Sequence, residues 1–268
     1  MHVPAPLRRF GASIETMARA DAPAFANRTD GHLPVWLWLW FPLVLMVAII
    51  ASRYVGDDAF ACMLKKESSF GEHMTSVLFL ASAVMAGILA CDTTAFGNHW
   101  VRTGFFIVVF GSVFVAGEEL SWGQHMFGWE TPDWVKAVNK QDETNLHNIF
   151  ERALDQKLRG ISSIVIFVIC GITPLLIRAG KLAWLERFPP VRWLIPSMAL
   201  VPVSWLVISP RIIDRVQVWF DVTFPFPLDI PTREFQEIQE MYISLFVFLY
   251  LLDALRRRRP LDAGGKNA

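Results

Sequence analysis

Residues 103–125 read TGFFIVVFGSVFVAGEELSWGQH. The first part, Thr103 to Gly117, carries no charge and is rich in Phe and Val. That composition suits lipid, but the run is short. A bilayer core is about 30 Å thick and takes about 20 residues of helix. A helix that begins beside Arg102 and crosses must therefore extend past Gly117. It takes Glu118, Glu119 and Trp122 into the far interface or deeper. Both the class of protein and its candidate site are written in this stretch.

The rest of the chain agrees with a membrane reading. Of 268 residues, 53% are hydrophobic and only 19% charged, below the level of about 25% usual in soluble proteins. Lys and Arg (25) balance Asp and Glu (25), so the basic excess that nucleic-acid binding needs is missing. Three cysteines make no disulfide framework, and Cys91 and Cys170 stand in apolar runs as small hydrophobes. A secreted cysteine-stapled domain and a disordered chain are excluded.

Five further apolar runs accompany the first: Pro34–Ser52, Met74–Cys91, Ile161–Ile177, Trp193–Pro210 and Met241–Leu252. None alternates apolar and polar residues as a membrane β-barrel strand would. The sequence thus reads as an all-α integral membrane protein, a bundle of about six transmembrane helices. Residues 1–33 form an N-terminal segment, 34–255 a single transmembrane helical domain and 256–268 a basic tail. Pro174, Pro196 and Pro202 are expected to kink their helices.

Positive residues set the orientation. With both termini cytoplasmic, 14 of the 25 Lys and Arg lie inside, including the run Arg256 to Arg259. The expected location is the bacterial inner membrane. Of the 25 acidic residues, 18 then fall on the outer side, which shows where chemistry could gather. Arg8-Arg9-Phe10 has no apolar region within reach and is not read as an export signal. Leu7, Phe10, Ile14 and Met17 recur at helical spacing, as in a short helix lying on the membrane surface.

The polar residues of the spans converge on that outer face. Counting back from Leu255 places Glu237 and Glu240 inside the last span, and Glu72 and His73 stand just before the second. Buried ionisable groups in a bilayer cost about 2.5–3.5 kcal/mol each at the centre and less near the interface, and they persist when paired, ion-bound or in a wet cavity. A functional cluster is therefore expected; the competing reading pairs Glu118 and Glu119 with Arg211 or Arg215 as an interface cap. If the helix continues through 117–125, then Glu118, Ser121, Trp122 and His125 share one face and Glu119 another. Thr131-Pro132-Asp133 reads as a helix start with Thr131 as N-cap. Leu146, Ile149, Phe150, Ala153 and Leu154 then form an apolar stripe, the mark of an amphipathic interfacial helix in the loop after the third span. Glu143 and His147, four apart, border it and could bind one cation or share a proton.

The blocks Gly-Glu-Glu-Leu-Ser-Trp-Gly-Gln (117–124) and Glu-Thr-Asn-Leu-His-Asn (143–148) resemble those of a family of bacterial polytopic membrane proteins without an established activity. The resemblance implies a site and no particular reaction. Glu118-Glu119 is also similar to the first motif of CAAX-type intramembrane proteases, but Gly123 stands where that motif has Arg. Ser121 and His125 are similar to the opening of the alkaline ceramidase and adiponectin-receptor group, whose closing His-x-x-x-His helix is missing here.

Carboxylates and imidazoles without nearby thiolates suit Zn, Mn or Fe. The favoured function is a membrane-embedded hydrolase or transferase, metal-dependent, acting at the periplasmic face on a lipid or lipid-linked substrate. Its catalytic candidates are Glu118, Glu119, Ser121, His125 and His147. The metal shell expected is Glu72, Glu119, Glu143, His147 and Glu237, around a divalent cation. A proton- or cation-coupled transporter and a non-enzymatic assembly factor are the alternatives, and no nucleic-acid partner is expected.

Overall fold

A computed structural model describes residues 33–64, 69–93, 99–136, 144, 156–182, 184–185 and 195–257. Among them all regular structure is helical. In chain order the helices are α1 (Trp36–Val55), α2 (Asp57–Leu64), α3 (Phe70–Cys91), α4 (His99–Glu119), α5 (Gln124–Phe127), α6 (Asp133–Lys136), α7 (Lys157–Arg178), α8 (Val201–Phe220) and α9 (Thr232–Arg257). Five of these described helices, α1, α3, α4, α7 and α9, are long and apolar enough to cross a membrane. The chain is a multi-pass membrane protein.

The last helix is the axis of the bundle. In α9 the membrane-length window is 61% buried, against 11% in α4, so α9 packs on neighbours all round while α4 shows most of its surface outward. Ile238, Met241, Tyr242, Leu245 and Leu249 of α9 meet Ile49 of α1, Phe60 of α2, Leu200 just before α8 and Val203 and Val207 of α8 in the main core. The Tyr242 hydroxyl donates to the Pro42 carbonyl at 2.7 Å, which satisfies a phenol with no access to water. A second core joins Ala86 and Leu89 of α3 to Leu251 and Ala254 of α9, with Val101 and Phe105 of α4 against it. Small side chains on α3 let the helices approach closely, and packing of this kind holds membrane helices together where the hydrophobic effect cannot.

Polar contacts show which helix ends lie together. At one end, Arg53 at the close of α1 pairs with Asp229 before α9 at 2.7 Å and lies over the rings of Phe60 and Phe226. Arg159 at the start of α7 pairs with Glu240 of α9. At the other end, the Arg102 side chain of α4 donates to the Ala90 carbonyl of α3 at 2.7 Å. There too Ser197, ahead of α8, donates its hydroxyl and backbone N–H to Asp253 of α9 at 3.1 and 3.4 Å. Having started beside the close of α3, α4 carries Glu118 and Glu119 back to the end where α3 begins.

Several expectations need correction. The fifth apolar run was expected to close at Pro210; instead α8 continues to Phe220 and carries Arg211, Asp214 and Arg215, so it falls short of the apolar criterion the other five meet. Trp193 lies outside the described residues. Pro202 opens α8 and does not kink it, because a proline in the first turn lacks only an N–H that has no intrahelical acceptor. Pro196 precedes the helix. Pro174 does disturb its helix, as expected: a π-helical stretch Phe167–Ile172 runs into it, and the Thr173 hydroxyl takes up the Val168 carbonyl at 2.9 Å. Pro42 follows the π-helical stretch Trp36–Trp40 in the same way. The amphipathic stripe of 146–154 and the N-terminal surface helix lie outside the described residues.

Because Asp253 is fully buried, Ser197→Ala removes a donor from a carboxylate that water cannot reach. The expected loss is about 1.5–3 kcal/mol, read as a lowered unfolding midpoint of the detergent-solubilised protein.

Candidate functional site

The site is built on the way α4 ends. The helix does not continue through 117–125. It closes at Glu119, and beyond Leu120 three residues in a row turn left-handed: Ser121 (φ 45°), Trp122 (φ 54°) and Gly123 (φ 88°). For an L-residue each such conformation costs about 1–3 kcal/mol and persists only where the surroundings enforce it. The enforcement here is visible. Trp122 folds back so that its indole lies on Gly117, where a Cβ would stand 2.8 Å from the ring. Its Nε1–H donates to Glu118 Oε1 at 2.6 Å, and its edge meets the Phe114 ring, centroids 5.9 Å apart. Glu118 is buried, 5% exposed. Glu118 and Trp122 therefore do meet, through a strained turn and not along one helix face. That explains why the block needs Gly at 117, Glu at 118 and Trp at 122 together.

Gly123 and Gln124 then bind this turn to the chain that follows. A Cβ at Gly123 would stand 3.1 Å from the Phe127 ring, which stacks on Trp129 at 5.8 Å. Gln124 uses both ends of its amide. Nε2 donates to Thr131 Oγ1 at 2.8 Å, while Oε1 accepts from the backbone N and the hydroxyl of Thr144 at 2.7 and 2.9 Å. Thr144 belongs to the second sequence block. One glutamine thus joins the two blocks that sequence reading singled out separately. Thr131 accepts from Gln124 where α6 begins, and the Pro132 carbonyl accepts from the N–H of Val135 and Lys136 at 2.8 and 3.0 Å. Around the turn, Trp122, Met126, Phe127 and Trp129 are exposed, an apolar rim of the kind that sits among lipid headgroups.

The other candidates fall as follows. Glu119 closes α4 half-buried, and Ser121 is buried within the turn. His125 stands on α5, its side chain outside the described residues. Glu72 lies in the first turn of α3, where the Ser69 side chain accepts its backbone N–H at 3.3 Å and the helix dipole favours a carboxylate. His73 is exposed. Glu237 is half-buried on α9. Glu143 and His147 lie outside the described residues. Among the described residues no three His, Cys, Asp or Glu side chains come together to hold a metal ion. Glu72, Glu119 and Glu237 alone therefore do not make a cation site.

A second polar centre went unforeseen. Arg159, Arg211, Asp214, Arg215, Gln236 and Gln239 line a small cleft where α7 begins, α8 nears its end and α9 begins. Arg211, Asp214 and Arg215 follow the spacing i, i+3, i+4, which puts them on one helix face. That spacing was the available signal. It goes unread when the apolar run is taken to stop at Pro210. Comparison with family models, with curated proteins and with solved structures finds no match.

Gly117→Ala drives the indole off Glu118 and is expected to cost about 1–3 kcal/mol. Trp122→Phe should lose a similar amount, and the double variant much less than their sum, since both remove the same hydrogen bond. Thermal unfolding of the four proteins checks this, and additive losses would refute the link. Gln124→Ala should speed hydrogen exchange at the Thr144 amide by about tenfold or more with the global midpoint little changed. Gln124→Glu, which keeps the acceptor oxygens, should leave that amide protected.

Proposed function

We propose that the protein is a membrane-embedded hydrolase or transferase whose site faces the periplasm and whose substrate is a lipid or lipid-linked molecule. The observation that carries this reading is the strained turn at the end of α4. Two consecutive L-residues held left-handed beside a buried carboxylate are a costly arrangement, and such strain clusters at functional sites. The turn is tied to the second block through Gln124 and rimmed by exposed aromatic residues of the kind that sit among lipid headgroups.

The roles divide by geometry. Glu118 is committed to the Trp122 N–H, which makes it a positioning residue. Glu119, half-buried at the close of α4, is the carboxylate proposed to take a proton from water or a substrate hydroxyl. Ser121, His125 and His147 are the further polar groups of the two blocks, with His147 as proton shuttle or ligand and Glu143 orienting it. In the metal-dependent version, Glu72, Glu119, Glu143, His147 and Glu237 would hold Zn, Mn or Fe, which would polarise the scissile group. That version needs Glu143 and His147, because the described acids form no cation shell without them.

The reading includes six crossings in the inner membrane with both termini cytoplasmic. Like its neighbours, α8 spans the bundle from end to end, beginning after the Ser197 contact to Asp253 and finishing beyond the Arg159 cleft. The four-arginine run after Leu255 favours the cytoplasm. A transporter is less well supported: Glu118, Arg159, Glu234 and Asp253 are buried charges near the helix ends, whereas coupled transport needs them near the midplane.

The test reconstitutes the purified protein in vesicles of labelled membrane lipid. Turnover should vanish in Glu119→Gln while expression and unfolding midpoint hold. Purified protein should also carry near-stoichiometric divalent metal; full turnover in chelator would eliminate the metal-dependent version. Unchanged turnover in both Glu119→Gln and His147→Ala would eliminate the enzyme.

A further inference from the structure

The arginine cleft has charges and hydrogen-bonding groups that the fold leaves uncompensated. Glu240 neutralises Arg159. Asp214 reaches Arg215 only through a long contact, Oδ2 to Nε at 3.7 Å, and Arg215 is 40% exposed toward the mouth. No ion pair among the described residues includes Arg211. Its guanidinium lies against Gly160, where a Cβ would stand 2.7 Å from both terminal nitrogens. Two further polar atoms are buried without a partner: Gln239 Nε2, a donor, and Asp214 Oδ1, an acceptor. The two residues are 3% and 4% exposed. Buried donors and acceptors lose water's hydrogen bonds and need replacements.

These features describe a ligand. Among the described residues Arg211 and Arg215 stand against the single carboxylate of Asp214, which leaves one positive charge between them and calls for a single negative charge. Arg211 and Arg215 from α8 and Gln239 Nε2 from α9 offer N–H groups from two helices, which calls for several acceptor oxygens on one centre. Asp214 Oδ1 calls for a donor on the same ligand. A phosphodiester with a hydroxyl-bearing headgroup meets all three conditions. It carries one negative charge and two non-bridging oxygens, which suit arginine, and its hydroxyl can donate to Asp214. The cleft lies at the end of the bundle to which α4 brings Glu118 and Glu119, and Glu237 of α9 falls between the cleft residues Gln236 and Gln239.

We propose that this cleft binds a phosphodiester whose headgroup donates a hydrogen bond to Asp214, with Arg211, Arg215 and Gln239 holding the phosphate oxygens. The inference rests on the proposed function for its setting and deepens it by naming the headgroup chemistry of the substrate or of a lipid held beside it. Ligand order follows from the chemistry. A glycerol headgroup provides both the charge and the donor. An ethanolamine headgroup provides the donor but adds a positive charge. A choline headgroup has no N–H or O–H to give.

The test titrates the purified full chain in detergent with phosphatidylglycerol, phosphatidylethanolamine and phosphatidylcholine, with soluble glycerophosphoglycerol as competitor. Phosphatidylglycerol should bind about tenfold or more tighter than phosphatidylcholine. Arg211→Gln should remove that preference. Gly160→Ala should do the same with the unfolding midpoint kept, because a methyl there displaces only the flexible tip of Arg211. Competition by the soluble diester at equal concentration would assign the site to a water-soluble ligand of the same chemistry; no competition would assign it to the lipid. Glu119→Gln should bind as the parent does, so loss of the enzyme reading would leave this one standing. Equal binding of glycerol and choline lipids, or parent-like binding by both Arg211→Gln and Gly160→Ala, would overturn the proposal.

Discussion

The Trp122 indole pressed on Gly117, with its N–H on the Glu118 carboxylate, is the contact on which the site depends. In a bundle with so little polar surface, a carboxylate at the end of a span must find a donor within the protein or remain at the water interface. Trp122 brings that donor back along the chain, and the left-handed turn from Ser121 to Gly123 is the cost in backbone conformation. Once the turn is made, Gln124 stands where it can hold both Thr131 and Thr144. The path of the loop follows from one side chain folding back.

The same constraint governs the other buried charges. Arg53 takes Asp229 and two aromatic faces, Arg159 takes Glu240, and Asp253 takes Ser197. The two ion pairs and the Ser197–Asp253 bonds each join segments far apart in sequence. Together they fix which helix ends meet, while the apolar cores around α9 supply the packing between them. The arginine cleft adds a buried donor and a buried acceptor without partners, Gln239 Nε2 and Asp214 Oδ1, and Arg53 Nε is likewise unpartnered.

The two ends of the bundle differ in their polar contacts. Asp253 and Ser197 close the end away from the candidate site with mutual hydrogen bonds. The strained turn, the exposed aromatic rim and the cleft gather at the opposite end.

The sequence by itself was enough for the membrane class and for most of the spans, and it singled out residues 117–124 as a candidate site, because these rest on composition and on the length a helix needs to cross a bilayer. The short run before Gly117 made Glu118 and Glu119 conspicuous without any coordinates. What it could not supply was the break after Glu119. Helical spacing put Glu118, Ser121, Trp122 and His125 on one face, whereas the indole's fit on Gly117 overrode local helix preference. The cleft was likewise hidden, since Arg159, Arg211 and Gln239 come from three helices and only packing brings them together. Local periodicity reports how a chain meets lipid; where polar side chains find one another is decided by contacts distant in sequence, which no window along the chain contains.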